Sequence, residues 1–247
     1  LGDLMVGSLD LLGSSRDLAG WRAMVERMQS PKDVLSIAVV GKYVELRDSY
    51  LSVKEALDHA GLAHNRDIEV QWVGAEDIEE HGPDSYLRQV NGIVVPGGFG
   101  PRGTEGMIDT VRYARDNEIP YLGLCLGLQV MVIDWSRNIL GLPDANSSEL
   151  APDTENPVIH IMPDQQDISS KGGTMRLGDY PCLTQTHTRT RAAYGADMIM
   201  ERHRHRFELN NSYRESLESS GLIVGGLSPD GNLVETGEVR DHPFMVG

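Results

Sequence analysis

The chain has 247 residues, 40% hydrophobic and 24% charged, and carries a formal net charge of −15 with an isoelectric point near 4.9. That length makes one sizeable domain, with or without an appendage, and the acidity argues against nucleic acid or an anionic membrane as partners. Two cysteines, Cys125 and Cys182, are too few for a disulfide framework and point to a reducing, cytoplasmic setting.

The opening stretch, "LGDLMVGSLDLL", has neither an initiator Met nor a basic start, so it reads as part of a longer protein and not as a signal peptide. In "DLAGWRAMVERM", Leu18, Trp21, Val25 and Met28 recur at helical spacing, and Pro31 ends the element. Residues 1–33 are therefore expected to be a linker or tail, followed by a sheet domain over 34–247. "VLSIAVV" (34–40) is a continuous apolar run of strand length, as in a strand buried on both faces. Ser49 is expected to cap a helix that carries Val53, Leu57 and Ala60 on one face and stops at Gly61. "IEVQWV" (68–73) alternates as a strand does, and "GIVVPGG" (92–98) is a short buried strand entering a glycine turn. "TEGMIDTVRYARDN" (104–117) reads as a helix capped by Thr104, and "PYLGLC" as the next strand. Strands alternating with helices of this length predict an α/β fold: an open, mostly parallel twisted sheet with helices on both faces. The longest apolar stretch, Ile119 to Ile133, is interrupted by a proline, two glycines and a glutamine, and is too short to span a membrane.

Sites in such folds form where strands end, and two strand ends here carry chemistry. In "VVPGGFGPRG" (94–103) a glycine pair follows a buried strand, so backbone N–H groups can converge on an anion with no Cβ in the way. The bland alternative is a plain glycine turn. "G-L-C-L-G" (123–127) has the form of a nucleophile elbow with Cys125 at its centre, a sharp strand-to-helix turn whose flanking glycines avoid collisions. There the helix N-terminus favours a thiolate, and the N–H groups of Leu126 and Gly98 can face a developing oxyanion. The competing reading is a buried, inert thiol. Further on, an extended "RHRHRF" would put Arg202, Arg204 and Arg206 on one face and His203, His205 and Phe207 on the other. A solvated charge run remains the alternative, and Cys182, His187, His203 and His205 lack compact metal-ligand spacing.

Taken together, "PGGFGPRG", "PYLGLCLGLQ", "NSSE", "GGTMRLG" and "ERHRHRFELNN" closely resemble the glutamine amidotransferase domain of the CTP synthase family, over about residues 34–247. The elbow alone would fit any triad glutaminase; the last two motifs narrow the resemblance. It implies hydrolysis of L-glutamine through a thioester on Cys125, with Gly98 and Leu126 as oxyanion donors. Leu126, Gly127, Leu128 and Gln129 would lie against the substrate, Glu149 would meet its ammonium group and Arg206 its carboxylate. A zwitterionic substrate needs one anionic and one cationic partner, and arginine can grip a carboxylate bidentately. The ammonia would pass to a synthetase domain that uses ATP and Mg²⁺ to aminate UTP. GTP is the implied allosteric effector, and a homotetramer the implied assembly. No metal or cofactor is expected in this chain itself.

One departure stands out. The family's base and its orienting carboxylate come from a histidine–glutamate motif that "DHPFMVG" (241–247) stops short of, and His242 aligns with a different, upstream histidine. The expectation is thus a domain truncated at its C-terminal end, with a nucleophile and a pocket but no assigned base, binding glutamine weakly without turning it over. The alternatives are the glutaminase subunit of another biosynthetic amidotransferase, or an α/β module that keeps the pocket without the chemistry.

Overall fold

The structure is a computed structural model that describes residues 2–10, 17–161 and 175–247. Two helices come first, α1 (Gly2–Ser8) and α2 (Ala19–Gln29). Strands and helices then alternate as predicted: β1 (Val34–Gly41), α3 (Leu51–Ala63), β2 (Asp67–Gly74), α4 (Ala75–His81), α5 (Asp84–Leu87) and β3 (Gly92–Val95). After these come α6 (Thr104–Asp116), β4 (Tyr121–Gly123) and α7 (Leu126–Asn138). The remainder holds β5 (Asn146–Ser147), β6 (Pro157–Ile161), β7 (Arg176–Thr184), α8 (Arg189–Tyr194), β8 (Met198–His205) and β9 (Phe207–Leu209). The last elements are α9 (Arg214–Ser220), β10 (Leu222–Leu227), β11 (Val234–Val239) and β12 (Met245–Val246).

The main sheet runs β2-β1-β3-β4-β12-β11-β10-β7-β8. From β2 through β12 every neighbour is parallel, and from β12 to β8 every neighbour is antiparallel. The parallel half is the part that the sequence pattern describes, and it carries the elbow. A smaller sheet, β5-β6-β9, lies against α7.

Alternation along the parallel strands divides the core between two faces. Ala38, Val40, Ile93 and Val95 join the larger cluster with α4, α6 and α7, while Val39 and Val94 face Tyr50, Val53 and Leu57 on the α3 side. Each Val, Ile or Leu side chain so removed from water contributes about 1.5–3 kcal/mol. β1 is fully covered only in its second half; Val34 at its start is exposed. Helix α7 is apolar nearly all round because it is covered on both sides, by β4 and by the small sheet, which accounts for the oily run after Cys125.

Several local expectations give way. Ser49 caps nothing: it lies in a 3-10 turn, Arg47–Tyr50, that leads directly into α3. Gly61 is inside α3, not beyond it. The Arg66 N–H bonds its carbonyl at 2.8 Å, and a Cβ there would come within 2.7 Å of Ile68, so close approach of the following strand selects the glycine. At α6 the cap is Gly103, with φ +67°, and the Thr104 hydroxyl is used in the site instead. The apolar stripe of α2 forms as a helix but buries none of its residues, and Trp21 is 66% exposed. Residues 172–174 of "GGTMRLG" lie outside the described residues. No described helix is long and apolar enough to cross a membrane.

Candidate active site

Cys125 stands between β4 and α7 with φ +57° and ψ −104°, a conformation that costs a non-glycine residue about 1–3 kcal/mol. The surroundings impose it. A Cβ on Gly123 would sit 2.6 Å from the carbonyl carbon of Gly127, and one on Gly127 would strike the Val95 carbonyl oxygen. Strand and helix therefore meet backbone to backbone, and the chain reverses on the cysteine. The Leu124 N–H bonds Val95 O at 2.9 Å, and the buried Tyr121 hydroxyl donates to Gly127 O at 2.8 Å, pinning both sides of the turn.

The first turn of α7 leaves one donor over. N–H groups of Gly127, Leu128 and Gln129 are directed to the carbonyls of Leu124 and Cys125. Among the described residues, the Leu126 N–H is the one in this turn with no carbonyl to bond, as the start of a helix dictates. The loop after β3 closes over it: a Cβ on Gly97 would lie 3.6 Å from the Cys125 sulfur, and one on Gly98 would lie 3.3 Å from the Leu126 side chain. Lys42, buried at the end of β1, braces this loop by donating to Gly100 O and, at 3.0 Å, to the Thr104 hydroxyl. Burial pushes the Lys42 ammonium below its ordinary range, partly offset by the charge of Glu149.

A cavity of about 530 Å³ opens in front of the thiol. Gly98, Cys125, Gln129, Glu149 and Arg206 all border it, as do Arg204 and His205. Leu126 and Gly127 do not border it; both are buried, and Leu128 packs on the core, so these three can meet a ligand through backbone alone. Gln129 is tied in place by donating to Phe207 O at 3.0 Å, and the Glu149 N–H bonds the Ser147 hydroxyl at 3.2 Å. Arg202 and Arg204 share the exposed face of β8 as the alternation predicts. Arg206 does not follow, because β8 ends at His205 and the chain bends there to join the small sheet.

The structure also brings an imidazole to the cavity in front of the thiol. His205 borders the same cavity as Cys125 and forms an ion pair with Glu208 at 3.3 Å. Burial by itself pulls this imidazolium down, yet the contacts with Cys125 and Glu208 and their charges outweigh it and hold the group up at about 10. Behind it runs a buried network. Arg176 lies 3.6 Å from Glu208 and grips Glu235 with its two terminal guanidinium nitrogens, and His203 approaches Glu235 at 3.6 Å. Arg176 and His205 are direct partners across the β7–β8 ladder. The alternation in "RHRHR" had put His203 and His205 together on one face; what it lacked was the fact that this face turns inward to the elbow. Burial is also what lowers His203 and raises the Cys182 thiol to about 11, leaving Cys182 an inert core residue. Among the described residues no group of three or more His, Cys, Asp or Glu side chains is gathered as metal ligands.

A family model described as glutamine amidotransferase class-I matches residues 45–247. The CTP synthase of Dehalococcoides mccartyi is 56% identical over all of this chain, and that of Herpetosiphon aurantiacus is 53% identical. The chain spans 45% and 46% of their respective lengths, a little under half. Among solved structures, the glutaminase domain of Trypanosoma brucei CTPS with bound acivicin is similar at 34% identity and a TM-score of 0.79. That likeness covers 86% of this chain and 83% of the other. With its cysteine elbow, glycine loop and mixed sheet, the chain belongs to the glutamine amidotransferase class-I family and corresponds to the glutaminase domain of CTP synthases.

Proposed function

We propose that the chain supplies the nucleophile and the glutamine pocket of a domain that hydrolyses L-glutamine to glutamate and ammonia through a thioester on Cys125. The observation that carries this reading is the positive-φ cysteine at a strand–helix turn, facing a cavity that both Glu149 and Arg206 border. The sulfur attacks the side-chain amide carbon, and the oxyanion is met by the N–H groups of Leu126 and Gly98. The C–N bond then breaks and ammonia leaves; water attacks the thioester carbon, releasing glutamate and restoring the thiol. Glu149 accepts from the substrate's ammonium group, and Arg206 pairs with its carboxylate. In the longer protein, ammonia would serve a synthetase domain that aminates UTP with ATP and Mg²⁺, in a cytoplasmic homotetramer responsive to GTP, with residues 1–33 linking the two domains.

Acivicin, the ligand of the trypanosomal domain, tests the assignment. Incubated with this chain and followed by peptide mapping, it is expected to modify Cys125 alone, and millimolar glutamine is expected to protect. Modification that glutamine leaves unchanged, or that falls on Cys182, would overturn the reading.

A further inference from the structure

Arg206 stands where the chain crosses from one sheet to the other. The β7–β8 ladder ends with the pair Arg176 and His205, and the β6–β9 ladder begins with Ile161 and Phe207. Arg206 falls between the two registers and is aligned by neither, so side chains on either side of the corner must set its direction. From α7, Gln129 donates to Phe207 O at 3.0 Å. Behind the corner, His203, His205 and Glu208 all turn into one buried cluster. Glu208 Oε1 lies 3.3 Å from His205 Nδ1 and 3.6 Å from a terminal nitrogen of Arg176. Arg176 lies over the Tyr180 ring at 4.4 Å, and that ring meets His203 edge-on. Glu235 of β11, its side chain 2% exposed, takes the two terminal nitrogens of the same guanidinium.

We infer that Glu235 is a positioning residue for glutamine binding: through Arg176 and Glu208 it holds the His205–Phe207 corner so that Arg206 meets the substrate's α-carboxylate. A buried guanidinium needs its countercharge within the cluster, and here Glu235 and Glu208 share that task. With Glu235 made neutral, Arg176 keeps Glu208 as its carboxylate partner and draws it in, away from His205. His205 and Glu208 flank Arg206 in the chain, so a shift between them turns the arginine out of line. Cys125 sits on the elbow and Glu149 on the loop after β5, both outside the cluster, so the contacts to the substrate's side-chain amide and ammonium group are spared. Glu235 therefore governs how tightly the carboxylate is held and leaves the thiol as it was. The inference rests on the glutaminase reading, which supplies the carboxylate that Arg206 meets.

Carboxamidomethylation of Cys125 by iodoacetamide, a reagent without a carboxylate, reads this when it is slowed by two ligands in turn: L-glutamine, and L-glutaminamide, whose α-carboxylate is replaced by a neutral amide. In the 247-residue chain, Glu235→Gln is expected to raise the glutamine concentration for half-protection about fivefold or more, and to leave that for glutaminamide within about twofold. Half-protection by glutamine at the parent's concentration would sink the inference. So would equal weakening with both ligands, which is what a general loosening of the fold produces. Should glutaminamide not protect the parent, the ligand-free alkylation rate becomes the control: a rate within about twofold of the parent's, with glutamine protection weakened, supports positioning, and a changed rate overturns it. Should Glu235→Gln not fold, Glu208→Gln is read by the same two criteria. A parent that glutamine does not protect at all would bring down the glutaminase reading and this inference with it, whereas a protected parent with an unaltered variant counts against the inference alone.

Discussion

At Cys125 the conformation and the chemistry compete. A thiol presented on φ +57° is reachable from the cavity, but an L side chain there is strained by about 1–3 kcal/mol. Comparing two substitutions that both remove the sulfur isolates that strain. Cys125→Gly is expected to be more stable than Cys125→Ala by about 1 kcal/mol in urea unfolding, because glycine takes positive φ freely while its extra unfolded-state entropy recovers only part of the gain. Equal stabilities would mean that the turn is not strained. The glycine spacing about Cys125 made this residue legible from sequence, since each glycine answers a steric demand that the structure shows. His205 was not legible in the same way. Alternation put it on a face with His203, but which face looks inward depends on β8 pairing with β7 and on the bend at Arg206, both of them tertiary facts. Lys42 was hidden likewise: nothing near it in "VGKYV" signals that its ammonium braces a loop some 60 positions away.

Among the elements, the contact between α7 and β3 sets the geometry of the whole site, because the Gly127 backbone rests directly on the Val95 carbonyl. Gly127→Ala drives a methyl into that oxygen and must push α7 off the sheet. It is expected to cost about 1–3 kcal/mol of stability, as overpacking does elsewhere, and to slow acivicin modification of Cys125 by moving the Leu126 N–H. Retention of both stability and labelling would show that the two backbones can separate freely. The parallel half of the sheet was readable because its strands are short apolar runs separated by helices of regular length. The antiparallel half was not. β7 and β8 carry arginine, histidine and glutamate on their inward face, so their pattern is that of a charged surface while their burial is that of a core. Helix ends were misread for a related reason: the Thr104 hydroxyl and the Gly61 backbone are taken up by tertiary partners, which outweigh local capping preference.

For the molecule as a whole, the question is how much of its stability depends on the residues before the sheet. Helix α2 buries none of its side chains, and its apolar stripe of Trp21, Val25 and Met28 is turned to solvent. Backbone hydrogen bonds from residues 17–30 among the described ones are local: Arg22 N–H to Leu18 O at 2.9 Å and Ser30 N–H to Glu26 O at 3.0 Å. The tie to the sheet is Lys32, whose ammonium donates to Met28 O and Ser30 O and pairs with Asp67 at 3.0 Å beside the start of β1. That pair is half exposed on the aspartate side, which limits its worth to well under about 1 kcal/mol. A chain of residues 31–247 keeps Lys32, Asp67 and both core clusters. It is therefore expected to unfold within about 0.5 kcal/mol of the 247-residue chain, since residues 17–30, which it lacks, are largely exposed and bonded locally. Thermal unfolding and the pH profile of Cys125 alkylation, measured together, check this. A midpoint lowered by more than about 5 °C, or a changed alkylation profile, would show that the leading helices are part of the domain's core and not an attachment to it.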